Sequence, residues 1–144
     1  MLASHVATRH GEEGMDYNLT RETVERIAAR DGVIGMIMGD HIMSDGLRPE
    51  PKRGERRTKD FDDSFELLCT HIDTVNEWSG RPFRHLGLGS DLDGFIKPTL
   101  AGIETAEDMA ALESALAARY GQANADSICS GNALRLLRDY VFAG

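Results

Sequence analysis

One continuous apolar run, residues 33–38 between Gly32 and Gly39, constrains the fold more than any other feature of the sequence. The run shows no alternation between apolar and polar residues, so it does not match a strand with one solvent-facing side. It suits a strand that is covered on both faces, as in parallel sheets packed by helices. We therefore predict a buried parallel strand near the middle of the first half of the chain.

Helical periodicity flanks this strand. Asn18 or Thr20 can cap a helix that runs to about Arg30. A longer helix is predicted from Asp60 to Ser79, because apolar residues recur there at steps of four and three and so share one face. These residues are Phe61, Phe65, Leu68, Ile72 and Val75.

Two further strands complete the pattern. The first residues, Met1 to Ala3, resemble the end of a buried strand, and His85 to Gly89 forms another short one. Strands that alternate with helices indicate parallel βα units. The predicted fold class is therefore α/β, with about three parallel strands and their helices in a single domain, residues 1–144.

The remaining segments are predicted as a loop and closing helices. Residues 40–59 are rich in Gly, Pro and charge and lack apolar periodicity, so they are predicted to form a long loop, either a lid or a solvated segment. Thr105 to Asp108 resembles a capping box before a helix. In the last helix, Leu134, Leu137 and Val141 are predicted to face inward.

Charge and cysteine content exclude several classes of protein. The chain has 16 Lys and Arg against 24 Asp and Glu, a net charge of −8, which argues against nucleic-acid and anionic-membrane binding. Cys69 and Cys129 are too few for a disulfide framework and lack zinc-finger spacing. No apolar run approaches the ~20 residues of a membrane span, and no signal peptide is evident. We expect a cytoplasmic protein.

Candidate site residues follow from the strand ends, because ligands of parallel α/β proteins collect at the carboxyl edge of the sheet. His5 follows the first predicted strand, Asp40 and His41 the second, and Asp91 and Asp93 the third. Imidazole beside carboxylates suits a zinc-like ion or a general acid and base. The other histidines, His10, His71 and His85, lie away from this edge.

Structural alternatives stay open for several of these residues. Asp-x-Asp-Gly is also an ordinary turn sequence, which is the favoured interpretation for Asp93 and an equal one for Asp91. From position alone, a lone histidine after a strand such as His5 is more often a hydrogen-bonded structural residue, and a structural role is also favoured for His41 over a role in the site. Cys69 and Trp78 are predicted to be packing residues. The sequence shows neither a Gly-x-Ser-x-Gly nucleophile motif nor a phosphate-binding loop.

Several motifs occur together in a recognisable order. They are Ala3-Ser4-His5, Tyr17-Asn18-Leu19-Thr20, Gly32-Val33-Ile34-Gly35, the block from His85 to Gly94 with Gly-Ser-Asp-x-Asp-Gly, and Gly131-Asn132-Ala133-Leu134-Arg135. In this order the chain resembles the renal-type membrane dipeptidases over nearly its whole length. The resemblance implies a TIM-like (β/α) barrel, of which this chain is a partial barrel corresponding to the C-terminal part.

The resemblance also implies an activity and a site. The family hydrolyses dipeptides, including those with a D-residue at the C-terminal side, with two metal ions that are usually zinc. His5 matches a metal-binding histidine, and Asp91 matches the aspartate that transfers a proton. Tyr17 and Asn18 match the substrate-binding segment, although the family commonly has an arginine at the position of Tyr17.

The family draws its other metal ligands from residues that precede the part matched here. The resemblance therefore implies an incomplete site, and we expect self-association or a complementary N-terminal half as partner, with a dipeptide-like substrate. The alternatives are a non-catalytic α/β module that binds a small ligand or a subunit, and a degenerate fragment without function.

Overall fold

The structure is a computed structural model that describes residues 1–11, 15–52, 55–94 and 97–140. Its centre is a parallel sheet in the order β1 (Leu2–Val6), β2 (Val33–Met36), β3 (Leu86–Leu88). The predicted parallel strands are confirmed. All four residues of β2 are buried, as expected for the central strand of a sheet covered on both faces.

Residues 37 and 38 lie beyond β2 but continue its path. Ile37 N–H donates to the Val6 carbonyl at 3.1 Å, and Met38 N–H donates to the Ser90 carbonyl at 3.1 Å. Both side chains are fully buried. The apolar run of the sequence therefore serves the core along its whole length, although regular pairing with β1 and β3 ends at Met36.

Two predicted helices are present, and a side chain caps the first turn of each. Helix α1 (Arg21–Ala29) begins after Thr20, whose hydroxyl accepts a hydrogen bond from Thr23 N–H. Helix α3 (Phe61–Ser79) begins after Asp60, whose carboxylate accepts from Asp63 N–H at 2.9 Å. A capped first turn and an apolar face together specify these helices locally.

The predicted loop 40–59 is corrected in part, because it opens with a short helix, α2 (Asp40–Met43). A helix of four residues is too short to give an apolar periodicity, so the sequence pattern does not reveal it. Ile42 and Met43 are nevertheless buried in the core beside α3. Residues 57 and 58 return to this edge of the sheet, where their N–H groups donate to the Asp40 carboxylate.

The closing helices are more divided than predicted. A 3₁₀ turn (Ala106–Asp108) with the predicted Thr105 to Asp108 capping box leads into α4 (Met109–Tyr120). Helix α5 (Gln122–Asp126) then passes through a π-helical turn (Ser127–Gly131) into α6 (Asn132–Tyr140). This π turn packs against β3.

The core lies between the sheet and these helices, and it includes Cys69 and Trp78 as predicted. Cys69 is 1% exposed, and Trp78 packs against the core from a partly buried position. Burial is the main cause of a raised pKa at the Cys69 thiol, which keeps it protonated. A buried, protonated thiol packs as an apolar group and does not act as a nucleophile.

The inward orientation predicted for the last helix is wrong for two of its residues. Leu134 and Leu137 are 47% and 44% exposed, and Tyr140 is 61% exposed. Val141 lies outside the described residues. The periodicity correctly predicts an amphipathic helix, but nothing among the described residues covers this part of its apolar face.

An ionic network closes the amino edge of the sheet, where α1 leads into β2 and the 81–85 turn leads into β3. Asp31 accepts hydrogen bonds from Arg84 Nε and Nη2 at 2.7 and 2.6 Å and from Arg135 Nη1 at 2.8 Å. Asn132 donates from Nδ2 to the carbonyls of Phe83 and Leu86 at 2.6 and 2.8 Å. The Asn-x-x-Arg motif of the sequence thus fastens α6 to this edge.

Across the described residues, the helices are all too short or too polar to cross a membrane.

Candidate active site at the carboxyl edge of the sheet

His5 is positioned by an irregularity in β1. Ala3 pairs with Ile34 and Val6 pairs with Met36, so β1 holds one more residue than β2 over this stretch. His5 lies in this bulge with φ 61°, in the left-handed region that costs energy for a non-glycine residue. Bulges of this kind redirect a side chain, and they concentrate beside active sites.

The bulge brings the His5 ring to the end of β3. His5 Nδ1–H donates to the Gly89 carbonyl at 2.9 Å, although β1 and β3 are not neighbours in the sheet. A donor role for Nδ1 leaves Nε2 with its lone pair available, which is the arrangement of a metal-ligating histidine held by a backbone carbonyl. The side chain is exposed, so Nε2 is accessible.

This approach depends on glycine at position 89. A Cβ atom there would lie 2.9 Å from the backbone nitrogen of His5 and 2.8 Å from the Gly35 carbonyl oxygen. Both distances are shorter than real Cβ contacts, so only glycine allows the three segments to meet. The Gly-x-Gly-Ser-Asp block therefore has a steric role in addition to carrying Asp91.

Asp91 follows two residues after Gly89 and begins the turn that leaves β3. It has φ 56°, and Gly94 N–H donates to its carbonyl at 3.1 Å, as in an ordinary turn. Within the described part of the chain, its carboxylate makes no hydrogen bond of its own. A strained residue with an uncommitted carboxylate at the carboxyl edge is a candidate for chemistry. Asp91 therefore forms an ordinary turn with its backbone and keeps its carboxylate available for a role in the site.

The described residues do not form a complete metal centre. Within residues 1–11, 15–52, 55–94 and 97–140, no three His, Cys, Asp or Glu side chains are grouped so that they could hold an ion. Tight zinc sites use three or four protein ligands. His5 suits one such ligand position through Nε2, but this chain's described residues alone do not supply the set.

Tyr17 and Asn18 lie in different environments. Tyr17 is 51% exposed, and burial, followed by the nearby Asp45 carboxylate, raises the pKa of its phenol. The hydroxyl therefore stays neutral near pH 7 and offers a hydrogen bond without charge. Asn18 is 2% exposed and donates from Nδ2 to the Ile42 carbonyl at 3.2 Å, so it ties this loop to α2.

Asp40, the first residue of α2, has a role that the sequence does not reveal. It is 1% exposed, and its carboxylate accepts from the Arg57 and Thr58 N–H groups at 2.8 and 2.9 Å and from the Thr58 hydroxyl at 2.7 Å. The carboxylate therefore anchors the returning segment 57–58. No short-range pattern could have predicted contacts across 17 and 18 residues.

His10, Thr8 and His71 form a chain of hydrogen bonds in which Thr8 and His71 are fully buried. His71 Nε2–H donates to the Met43 carbonyl at 2.7 Å, so Nδ1 is the acceptor for the Thr8 hydroxyl at 2.6 Å. The Thr8 oxygen in turn accepts from His10 Nε2–H at 2.9 Å. Burial lowers the pKa of His71 to about 4. Burial also lowers the pKa of His10 from its ordinary 6.5, so both imidazoles are neutral at pH 7.

Three parallel strands with helices, and a histidine and a carboxylate at their carboxyl edge, define an α/β protein built like part of a (β/α) barrel. The family model for membrane dipeptidases, peptidase family M19, matches residues 1–142. The chain therefore belongs to this family. A comparison with curated protein sequences gives no match.

Comparison with solved structures points to the same family. The chain is similar to the crystal structure of a dipeptidase AC, a metallo peptidase of family M19, at 25% identity and TM-score 0.66 over 85% of this chain and 32% of that one. It is equally similar, over 85% and 31%, to a metallo peptidase from Rhodobacter sphaeroides that was crystallised with a phosphinate mimic of the dipeptide L-Ala-D-Ala (25% identity, TM-score 0.66).

An amidohydrolase from Pseudomonas aeruginosa shares the fold at 20% identity, with TM-score 0.69 over 96% of this chain and 45% of that one. The chain thus spans about a third of the length of the two dipeptidase structures and under half of the amidohydrolase. Its fold corresponds to part of theirs.

Proposed function

We propose that this chain supplies part of the active site of a metal-dependent dipeptidase, with His5 as a metal ligand and Asp91 as the proton-transferring carboxylate. The observation that carries the proposal is the bulge in β1, which holds His5 in the left-handed conformation with Nδ1–H on the Gly89 carbonyl. This arrangement fixes the tautomer and presents Nε2 outward. Family membership over residues 1–142 supports the same role.

Asp91 suits proton transfer because its carboxylate is not committed to any hydrogen bond within the described residues. A carboxylate that is free to turn can accept a proton from water and return it to a leaving amine. Asp93 lies in the same turn with φ 61° and is exposed, and the Asp-x-Asp-Gly sequence favours a turn role for it. It is the natural control for Asp91.

The metal that we propose is a zinc pair, which when bound lowers the pKa of a water and polarises the scissile carbonyl. His5 would contribute one of its ligands. Since the described residues do not complete such a site, the remaining ligands would come from a complementary N-terminal half or from a second copy of the chain. The exposed apolar residues of α6 are consistent with a missing neighbour.

Hydrolysis of L-Ala-D-Ala in the presence of zinc tests the proposal. The full chain is assayed alone and after mixing with a fragment of a family M19 dipeptidase. The fragment is the N-terminal part of that enzyme, which has no counterpart in this chain. We expect hydrolysis that requires the mixture and is removed by a chelator. In the mixture, Asp91→Asn should lower kcat by at least about 100-fold, as expected for loss of a general acid and base.

Asp93→Asn is the matched control and should keep the activity of the wild type. Equal losses in the two variants, or full activity in Asp91→Asn, would show that Asp91 is only a turn residue. A metal-independent binding of small ligands without hydrolysis in any mixture would instead favour a non-catalytic module.

A further inference from the structure

His71 reaches from the middle of α3 to two segments at the carboxyl edge of the sheet. It is fully buried, and its Nε2–H donates to the carbonyl of Met43, the last residue of α2, at 2.7 Å. Its Nδ1 accepts from the Thr8 N–H at 3.2 Å and from the Thr8 hydroxyl at 2.6 Å. One imidazole therefore joins α2 to the stretch of chain that follows β1.

The Thr8 N–H fixes the direction of these hydrogen bonds. A backbone N–H can only donate, so the proton of the His71 ring is on Nε2 and not on Nδ1. The Thr8 hydroxyl then donates to His71, and its oxygen accepts from His10 Nε2–H. The chain of bonds ends on the Met43 carbonyl, which has no proton to exchange. This arrangement suits the holding of segments and does not suit proton transfer.

Thr8 in turn holds the 17–19 segment. Leu19 N–H donates to the Ala7 carbonyl, and Arg9 N–H donates to the Leu19 carbonyl, both at 2.8 Å. Leu19 thus forms a parallel bridge with Thr8, beyond the end of β1. Because Thr8 is fixed on its other side by His71, the imidazole determines where the 17–19 segment lies.

Tyr17 is the exposed residue of this segment, at 51%. Ala7, which accepts from the segment, lies two residues after His5, so Tyr17 belongs to the same strand end as the proposed metal ligand. Its neighbour Asn18 is 2% exposed and donates to the Ile42 carbonyl of α2 at 3.2 Å. The phenol of Tyr17 is therefore presented to solvent by a backbone that is held from both sides.

The stretches that follow β1 and β2 also meet directly. Gly46 lies so close to His10 that a Cβ atom there would be 1.9 Å from the His10 carbonyl oxygen. The Asp45 carboxylate accepts from the Met15 N–H. The two stretches therefore pack as one unit at this edge of the sheet, and His71 joins both of them to α3.

His5 is held by a different contact. Its Nδ1–H donates to the Gly89 carbonyl at the end of β3. In the part of the chain that the structure describes, no side-chain hydrogen bond joins His5 to Thr8 or to His71. A change at His71 should therefore move the 17–19 segment and leave the proposed metal ligand in place.

We propose that His71 is a positioning residue, which holds the 17–19 segment at the carboxyl edge so that Tyr17 contacts the substrate beside His5. This inference rests on the proposed function, since it assigns His71 to the same site. His71 itself does not touch the substrate. Its loss should therefore weaken substrate binding and leave the chemical step unchanged.

Amide hydrogen exchange of the full chain, followed by NMR, tests the positioning without substrate or metal. His71→Gln keeps a donor for the Met43 carbonyl but loses the acceptor for Thr8, and His71→Asn does the reverse. His71→Gln should speed exchange at the Arg9 and Leu19 amides about tenfold, the effect of one lost hydrogen bond. His71→Asn should leave these two amides within about twofold of the wild type.

The Ile34 amide, which donates to the His85 carbonyl within the sheet, is the internal control for global stability. Thr8→Val approaches the same bond from its other side and keeps the imidazole, so it tests the inference even where a His71 variant does not fold. It should speed exchange at the Leu19 amide about threefold. Equal changes in the two His71 variants after correction for Ile34, or no change in Thr8→Val, would overturn the inference.

The mixed-chain assay tests the consequence for the site. His71→Gln should raise the KM for L-Ala-D-Ala about fivefold and keep kcat within about twofold, while His71→Asn should keep both near the wild type. A fall in kcat at unchanged KM would overturn the inference, because it would place the effect on the chemical step. Absence of hydrolysis in every mixture, with the exchange pattern as expected, would count against the proposed function and support the positioning of the 17–19 segment.

Discussion

The two edges of the sheet differ in whether other side chains hold an aspartate whose backbone is in the left-handed region. Each edge has an aspartate in the left-handed region, Asp31 at φ 51° on the amino edge and Asp91 at φ 56° on the carboxyl edge. Asp31 is held by Arg84 and Arg135 through three charged hydrogen bonds. The Asp91 carboxylate makes none within the described residues.

This difference separates stabilising groups from groups available for chemistry. At the amino edge, charged hydrogen bonds offset the conformational cost of Asp31, so the network contributes to stability. At the carboxyl edge, no charged hydrogen bond among the described residues offsets the conformational cost of the left-handed backbone at His5 and Asp91. Barrel enzymes show the same division between a stabilising lower face and a functional upper face.

The largest predicted effect is a loss of stability between pH 6.5 and pH 4. Burial lowers the pKa of His71 from 6.5 to about 4, so the unfolded chain binds a proton in this range that the folded chain does not. Stability is therefore full above pH 6.5 and falls as the pH decreases, by about 3 kcal/mol in total. Urea unfolding between pH 7 and pH 4 measures this.

His71→Gln should flatten that pH dependence, while His5→Gln serves as a control that removes an exposed histidine. The Asp31 network of the amino edge responds at lower pH, because the hydrogen bond from Arg84 lowers the pKa of Asp31 from its ordinary 3.8. Its contribution is lost only as the pH falls below about 3.8. An unchanged slope in His71→Gln would contradict this separation.

The next effect concerns the Asn132 amide at the amino edge. Asn132→Ala leaves the part-buried carbonyl of Phe83 and the buried carbonyl of Leu86 without their donor, which should lower the free energy of unfolding by about 2 kcal/mol. Asn124→Ala removes a single, local hydrogen bond from the side-chain amide to the Tyr120 carbonyl and should cost less than about 0.5 kcal/mol. Denaturant unfolding at pH 7 distinguishes the two, and equal losses would refute a special role for the amino edge.

The smallest effect compares the two aspartates directly. Asn tolerates the left-handed region, so Asp31→Asn and Asp91→Asn change charge with little change in backbone preference. Asp31→Asn should cost about 1 kcal/mol, because its partners are partly exposed, and Asp91→Asn should cost close to zero. A larger loss for Asp91→Asn in thermal unfolding would reverse the comparison of the edges.

Local signals in the sequence predict much of this fold. The apolar run 33–38, the cap at Thr20 and the periodic face of α3 each act within a few residues, and each is present in the structure. Helix α2 and the exposure of Leu134 and Leu137 are not predictable in this way. The first is too short to show a period, and the second depends on what packs against α6.

The candidate site divides similarly. Because the carboxyl ends of parallel strands share one edge, His5 and Asp91 can be placed together from the order of strands. Contacts between distant segments determine three other features: the bulge at His5, the hydrogen bonds of the Asp40 carboxylate and the burial of Arg57. Sequence spacing contains no signal for such contacts, so only the structure shows them.

The central claim is that His5 is a metal ligand of a site that this chain does not complete alone. Isothermal titration calorimetry with zinc tests it most directly. The full chain and its variants His5→Gln and His85→Gln are each titrated. His85 is the matched control, since it is buried at the amino edge with Nδ1–H on the Gly32 carbonyl. The account predicts one weak zinc-binding event that His5→Gln removes and His85→Gln keeps. Two tight zinc ions bound by the chain alone, or zinc binding that survives His5→Gln, would contradict it.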